Sequence, residues 1–259
     1  MNFWMRRLRA ALPWLVVAVL SSGAVLLVLL PAAWITPQFT RATGGHVNLV
    51  DPSGSLWHGS ATLMLAAGAD TGAATLLPGQ LEWHTSFWPL FTGRVHMSML
   101  QSDAMPTPIT VDATRRGAIL SQGALAVPAS LLTGLGAPFN TLDLQGDVRL
   151  AWSDWRSFGN EAFGQLSVTL NDASSRVSLV KPLGSYRVLF QAEGSSSTID
   201  LSTLKGPLIL SGHGMMSAGS TSFNGTATAA PEARENLAGL LNLLGRPSGP
   251  DTVALTFIH

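Results

Sequence analysis

The chain has 259 residues, 15 of them basic and 15 acidic, so it carries no formal net charge. Only 12% of its residues are charged, and it contains no cysteine. These facts exclude disulfides, thiol nucleophiles and thiolate metal sites. They also leave no basic footprint for nucleic acid, which requires clustered Lys and Arg.

The first element is an apolar stretch, Trp14 to Ile35, preceded by Arg6, Arg7 and Arg9; no charged residue falls between Arg9 and Arg41. A helix of about 20 apolar residues crosses a hydrocarbon core roughly 30 Å thick. Arginines are retained on the cytoplasmic side, and indole rings favour the interface, which Trp14 and Trp34 would occupy at the two ends. The expected layout is therefore a cytoplasmic N-terminus at 1–13, a transmembrane anchor at 14–35, and an exported domain at 36–259. That describes a domain tethered to the outer face of a membrane. The rival reading is a cleaved signal peptide, with Ala32 and Ala33 near the cut. A signal's hydrophobic region is about 7–15 residues, shorter than this stretch, and Pro31 and Trp34 make a poor cleavage neighbourhood. Either reading exports the domain.

Beyond the anchor the chain reads as β. Alternating runs punctuated by Gly and Pro predict strands at Ser60–Leu65, Gln80–His84, Gly93–Leu100, Thr141–Trp152, Gln165–Leu170, Ser185–Gln191, Gly206–Ser211 and Thr221–Ala227, with a closing strand at Thr252–Ile258. Between Leu142 and Trp152 apolar residues alternate except across Gln145–Gly146, so one face is buried and Gly146 marks a bulge. Asp51-Pro52-Ser53-Gly54 has the composition of a turn.

Two helical pieces interrupt the strands. In Pro231–Leu244 a proline opens the first turn and Glu232 sits where the helix dipole favours an acid. Leu237, Leu240, Leu241 and Leu244 form one apolar stripe, and Gly245 stops the helix. Pro128–Leu135 is a shorter copy. Similar strand pairs around Gly93, Gly164 and Gly225 suggest two repeated halves, about 45–150 and 151–259. The fold class expected is mainly β: one N-terminal transmembrane helix, then a curved antiparallel sheet with one or two short helices.

No catalytic constellation emerges. His46, His58, His84, His96, His213 and His259 lack metal-ligand spacing, and the hydrolase elbow Gly-x-Ser-x-Gly is missing. Gly212-His213-Gly214 reads as a tight turn, since a phosphate loop needs a longer glycine pattern opening a helix. Asp143 and Asp147 read as a solvated strand face. The sequence thus points to no enzyme, metal or cofactor. Its weakly charged surface suits a part of a larger assembly.

One string stands out: Gly54-Ser-Leu56-Trp57-His-Gly59-Ser-Ala61. It reads as a turn glycine, a buried Leu-Trp pair, and a glycine allowing close backbone approach as the next strand begins. Placed shortly after a single anchor, it resembles the type II secretion system protein N family. The resemblance continues through Leu81-Glu-Trp-His, Trp88-Pro-Leu-Phe-Thr-Gly and Gly146-Asp-Val-Arg-Leu-Ala-Trp. It extends to Gly206 and Pro207, to Gly212 and Gly214, to Gly225 in Phe223-Asn-Gly-Thr-Ala, and to Leu244-Gly245. Met215-Met216 stands where an aromatic residue would be expected. The resemblance implies an accessory inner-membrane component of the machine exporting folded proteins across the outer membrane. It would act through contacts with other type II secretion subunits and has no catalytic residues to carry over. A second reading from the residues is a membrane-tethered protein that binds or transfers lipid in an open β groove.

Overall fold

The computed structural model describes residues 21, 25, 29–34, 36–66, 74–135, 139–217, 220–249 and 251–258. The expected basic flank Arg6, Arg7 and Arg9, Trp14 and most of the expected span lie outside the described residues. Among those described, no helix is long and apolar enough to cross a membrane.

Seventeen strands among the described residues join in one antiparallel sheet. The first eight are β1 (Val47–Gly54), β2 (His58–Ala66), β3 (Ala74–Leu76), β4 (Leu81–Ser86), β5 (Arg94–Gln101), β6 (Ile109–Thr114), β7 (Gly117–Leu120) and β8 (Gly123–Pro128). Then come β9 (Leu144–Trp152), β10 (Trp155–Phe158), β11 (Glu161–Ser175), β12 (Gly184–Gly194) and β13 (Ser196–Lys205). The last are β14 (Leu208–Ser217), β15 (Ser220–Ala229), β16 (Arg246–Pro247) and β17 (Thr252–Ile258). Successive rows pair with one another, so the sheet is a meander, except that β17 returns between β15 and the short β16. β3 and β4 are successive stretches of one row against β2, and the long β11 pairs with both β9 and β10 on one side.

Alternation makes these segments strands. In β4, Leu81, Trp83 and Thr85 are buried while Glu82 and His84 are exposed. A period of two puts every second side chain on one face, and that face must be covered by something else. The chain covers it with short helices. A 3-10 turn, Ala32–Trp34, and α1 (Thr36–Ala42) lie over β1 and β2. The 3-10 helix Ala129–Leu135, followed by α2 (Phe139–Leu142), packs on β2, β3 and β9. The 3-10 turn Pro231–Ala233 and α3 (Arg234–Leu244) pack on β15 and β17.

Pairing registers put the last two covers, and the end of α1 that leads into β1, at one end of the sheet. Val47, which follows α1, pairs with Leu65; Pro128 pairs with Asp147; Leu144 pairs with Ser175; Gly184 pairs with Ala173 and Leu208 with Ala229. The opposite end carries the tight hairpins, such as Ser217–Ser220. We call these the helical end and the turn end. The buried residues fall into three clusters, one under each cover: around Leu49, Ala61 and Trp83; around Leu131, Val127 and Val148; and around Leu237, Tyr186 and Leu208.

Several local expectations change. Gly212-His213-Gly214 is not a turn but the middle of β14. A side chain at Gly212 or Gly214 would strike the Phe223 ring on β15, so these glycines make room for a cross-strand aromatic. His213 sits directly opposite Asp200 and its Nδ1 lies 2.6 Å from Asp200 Oδ1. Asp51-Pro52 is a bulge inside β1, with Asp51 at φ 51°, because the β1–β2 register shifts between Val50 and Ser53. The irregularity expected at Gly146 is real, but the extra residue is on its partner. The register with β11 shifts between Asn171 and Ser174, and a Cβ at Gly146 would lie 2.5 Å from the Asn171 carbonyl. The strand expected from Thr141 begins only at Leu144, since Phe139–Leu142 is helical. Asp143, ahead of that strand, is held by Arg176 at 3.1 Å rather than sharing a strand face with Asp147. The Pro128–Leu135 piece is 3-10 rather than α, its run being too short to gain from α propagation.

Three substitutions test this packing. Leu237 is fully buried, and Leu237→Ala should cost about 2–5 kcal/mol, read as a lower melting temperature of the purified full chain. At Gly206, φ is 119° and a Cβ would lie 2.3 Å from the Gly184 Cα. Gly206→Ala should therefore lower the melting temperature sharply. Gly93→Asn, at φ 71° with open space around it, should leave it nearly unchanged.

Candidate functional site

The β9–β14 part of the inward face carries a ladder of aliphatic side chains. Val168 pairs with Leu150 on one side and Val188 on the other, Leu170 with Val148 and Tyr186, and Val188 with Leu201. Leu208 and Leu210 continue the ladder on β14. Two covers flank it. Leu132 and Leu142 come from the 3-10 helix and α2, and Leu240 and Leu244 from α3. Leu142 packs against the buried clusters under both covers. Between them lies a cavity of about 460 Å³ lined by aliphatic side chains and Tyr186.

The Tyr186 hydroxyl donates to the Leu208 carbonyl at 3.1 Å. Burial pushes its phenol pKa up, so it stays a neutral donor with its one proton committed. The lining offers a ligand no charge and no free polar side chain. Such a space has a physical cost. Apolar side chains that face it without a neighbour forgo burial, at roughly 25 cal/mol per Å², and lose packing contacts.

A second notable region lies at the turn end. The 3-10 helix Trp88–Thr92 in the β4–β5 hairpin carries Phe87, Trp88 and Phe91; Trp88 is 80% and Phe91 72% exposed. Their rings touch edge to face, Phe87 lying 5.1 Å from Trp57 and 5.3 Å from Phe91. Loops are ordinarily polar, so three aromatics within five residues were a signal available in the sequence.

The Gly-x-Leu-Trp string is the clasp beside that loop. Leu56 is half-buried and Trp57 buried. The Leu56 N–H donates to the Leu30 carbonyl at 2.9 Å, and Pro31 bridges to Ser55. The Thr85 N–H donates to the Trp57 carbonyl at 2.7 Å, the Thr85 hydroxyl to Leu56, and the Trp83 indole N–H to Ser55 at 3.2 Å. Gly54 ends β1 at φ 80°. A Cβ at Gly59 would lie 2.4 Å from the Trp83 ring, and Ala61 is buried beneath it. The string therefore fastens the incoming N-terminal segment to β4. Trp34 is exposed.

The remaining motif residues are packing devices. Pro207 follows Gly206 in the β13–β14 turn, and its carbonyl accepts from the Ala230 N–H. Gly225 faces Gly212 across β14–β15. Leu244 is partly buried at the cavity rim. Gly245 ends the helix in extended backbone; a Cβ there would lie 2.3 Å from the Ala254 carbonyl, so close approach to β17 is what requires glycine. The rings of His58 and His84 lie 4.2 Å apart, but among the described residues no group of three metal-ligating side chains occurs.

Neither a curated protein nor a solved structure matches the chain. A family model does: that of type II secretion system (T2SS) protein N matches residues 45–256, from the start of β1 into β17. With the match spanning nearly the whole sheet, the chain belongs to the type II secretion system protein N family.

Proposed function

We propose that the protein is an accessory inner-membrane component of the type II secretion machinery, held by a single span within residues 14–35. Its sheet domain stands in the periplasm and contacts other secretion subunits. Family membership supports the secretion role. The hydrogen bond from Leu56 to Leu30 supports the membrane placement, because it ties Leu30, near the end of the apolar stretch, to the turn end. The exposed Phe87, Trp88 and Phe91 lie beside that point, and aromatic side chains with one wet edge favour the membrane interface. Tether and aromatic loop would thus meet the bilayer together, with the helical end pointing away from it.

Subunit contacts fall naturally on the sheet edges. Among the described residues β1 pairs only with β2, and β17 beyond Ala254 only with β15. Unpaired edge backbone is a template for strand addition by a partner.

Deleting the protein should strand folded secretion substrates in the periplasm, and restoring the full chain should release them; unchanged secretion would refute the role. A C-terminal reporter active only in the periplasm should be active and stay in the membrane fraction; a soluble product would refute the tether. A photo-crosslinking residue at Asp51 or Thr256, both exposed and at the two edges, should capture a subunit of the same machine. Capture only from mid-sheet positions such as Asp200 would refute edge docking.

A further inference from the structure

We infer that the cavity between the Leu132–Leu142 cover and α3 is a binding site for one long fatty-acyl chain. Three observations select this occupant. The first is chemical. The only polar atom on the lining side chains, the Tyr186 hydroxyl, is already bonded to the Leu208 carbonyl. A sugar, a nucleotide or an extended peptide would bury unsatisfied donors and acceptors there, whereas an alkyl chain has none to satisfy.

The second is size. A cavity of about 150 Å³ lined by apolar side chains holds one benzene, or about 25 Å³ per carbon. On that scale about 460 Å³ holds about eighteen carbons, one chain rather than two. A partner's helix, about 10–12 Å across with its side chains, does not fit such a space.

The third is access. The inward face continues from the cavity toward the turn end through Leu166, Phe190 and Ile199, two residues along from Val168, Val188 and Leu201, and these are only partly buried. The helical covers stand at the other end, so an apolar path leads in from the turn end. The chain would thread along this path while any headgroup stays outside in water. The site does not rest on the secretion role, and neither stands or falls with the other.

The test uses the full chain, purified in a steroid-based detergent that carries no alkyl tail, with cis-parinaric acid as a fluorescent long-chain probe. Saturable binding is expected, with palmitate competing and octanoate not. Val168→Trp and Leu210→Trp, which fill the space, should each weaken binding at least about tenfold. Ile209→Trp, on the exposed opposite face of β14, should leave it unchanged. Leu150→Phe is a milder filling variant should the tryptophans abolish the melting transition, and it should weaken the probe severalfold. Lysophosphatidylglycerol run beside palmitate identifies the source, the better competitor being either a single-chain lipid or a free acid. No saturable binding, equal competition by octanoate, competition by diacyl phosphatidylglycerol alone, or filled variants that fold and bind as before would each overturn the assignment.

Discussion

An open antiparallel meander creates an obligation that a closed barrel does not. Every row turns alternate side chains to the same side, and there is no opposing sheet to receive them. In this protein that side is aliphatic along most of the rows, and apolar surface left in water costs roughly 25 cal/mol per Å². The fold is shaped by how this face is covered. Three short helical segments do it: one leads into β1 from the turn end, and two are inserted between strands at the helical end, so that the tight hairpins fall at the turn end. Leu237, Leu240 and Leu241 of α3 and Leu131 and Leu132 of the Ala129–Leu135 helix take part in this covering, and the three buried clusters sit beneath the three covers.

This division of labour between the two ends organises the functional reading. The helical end is where packing is dense, and also where two covers leave a gap above β9–β14. The turn end is where the N-terminal segment arrives, lashed by backbone hydrogen bonds to the Gly54–Ala61 string and flanked by an exposed aromatic loop. Under the proposed tether, the protein would present its edges, not its faces, to its neighbours. Edge docking and an apolar interior space are compatible because they use different surfaces of the same rows.

Much of the architecture was legible in the sequence because two-residue periodicity is a local signal. The strands around Trp83, Val148 and Val188 follow from it, and the leucine stripe of α3 follows from its own period. What escaped depends on partners far along the chain. Gly212 and Gly214 look like punctuation until Phe223 is placed across from them, and Gly245 looks like a helix stop until Ala254 passes beside it. The bulge opposite Gly146 belongs to β11, which no reading of β9 alone reveals. The cavity is harder still. Its lining residues are ordinary core residues one by one, and the space among them shows only when the strands and covers are placed side by side. The family string was recognisable, but its role as a clasp on Leu30 depends on contacts that sequence spacing does not encode.

The proposed acyl site requires that the incompletely covered face keep a water-free apolar space of chain-like dimensions. Diffraction from crystals of the full chain under xenon pressure tests it most directly, because xenon enters dry apolar cavities and not hydrated ones. The account predicts xenon, or continuous elongated density that excludes it, among Val168, Leu210 and Leu244. Ordered water filling the space, or covers collapsed onto β11 and β12, would contradict it.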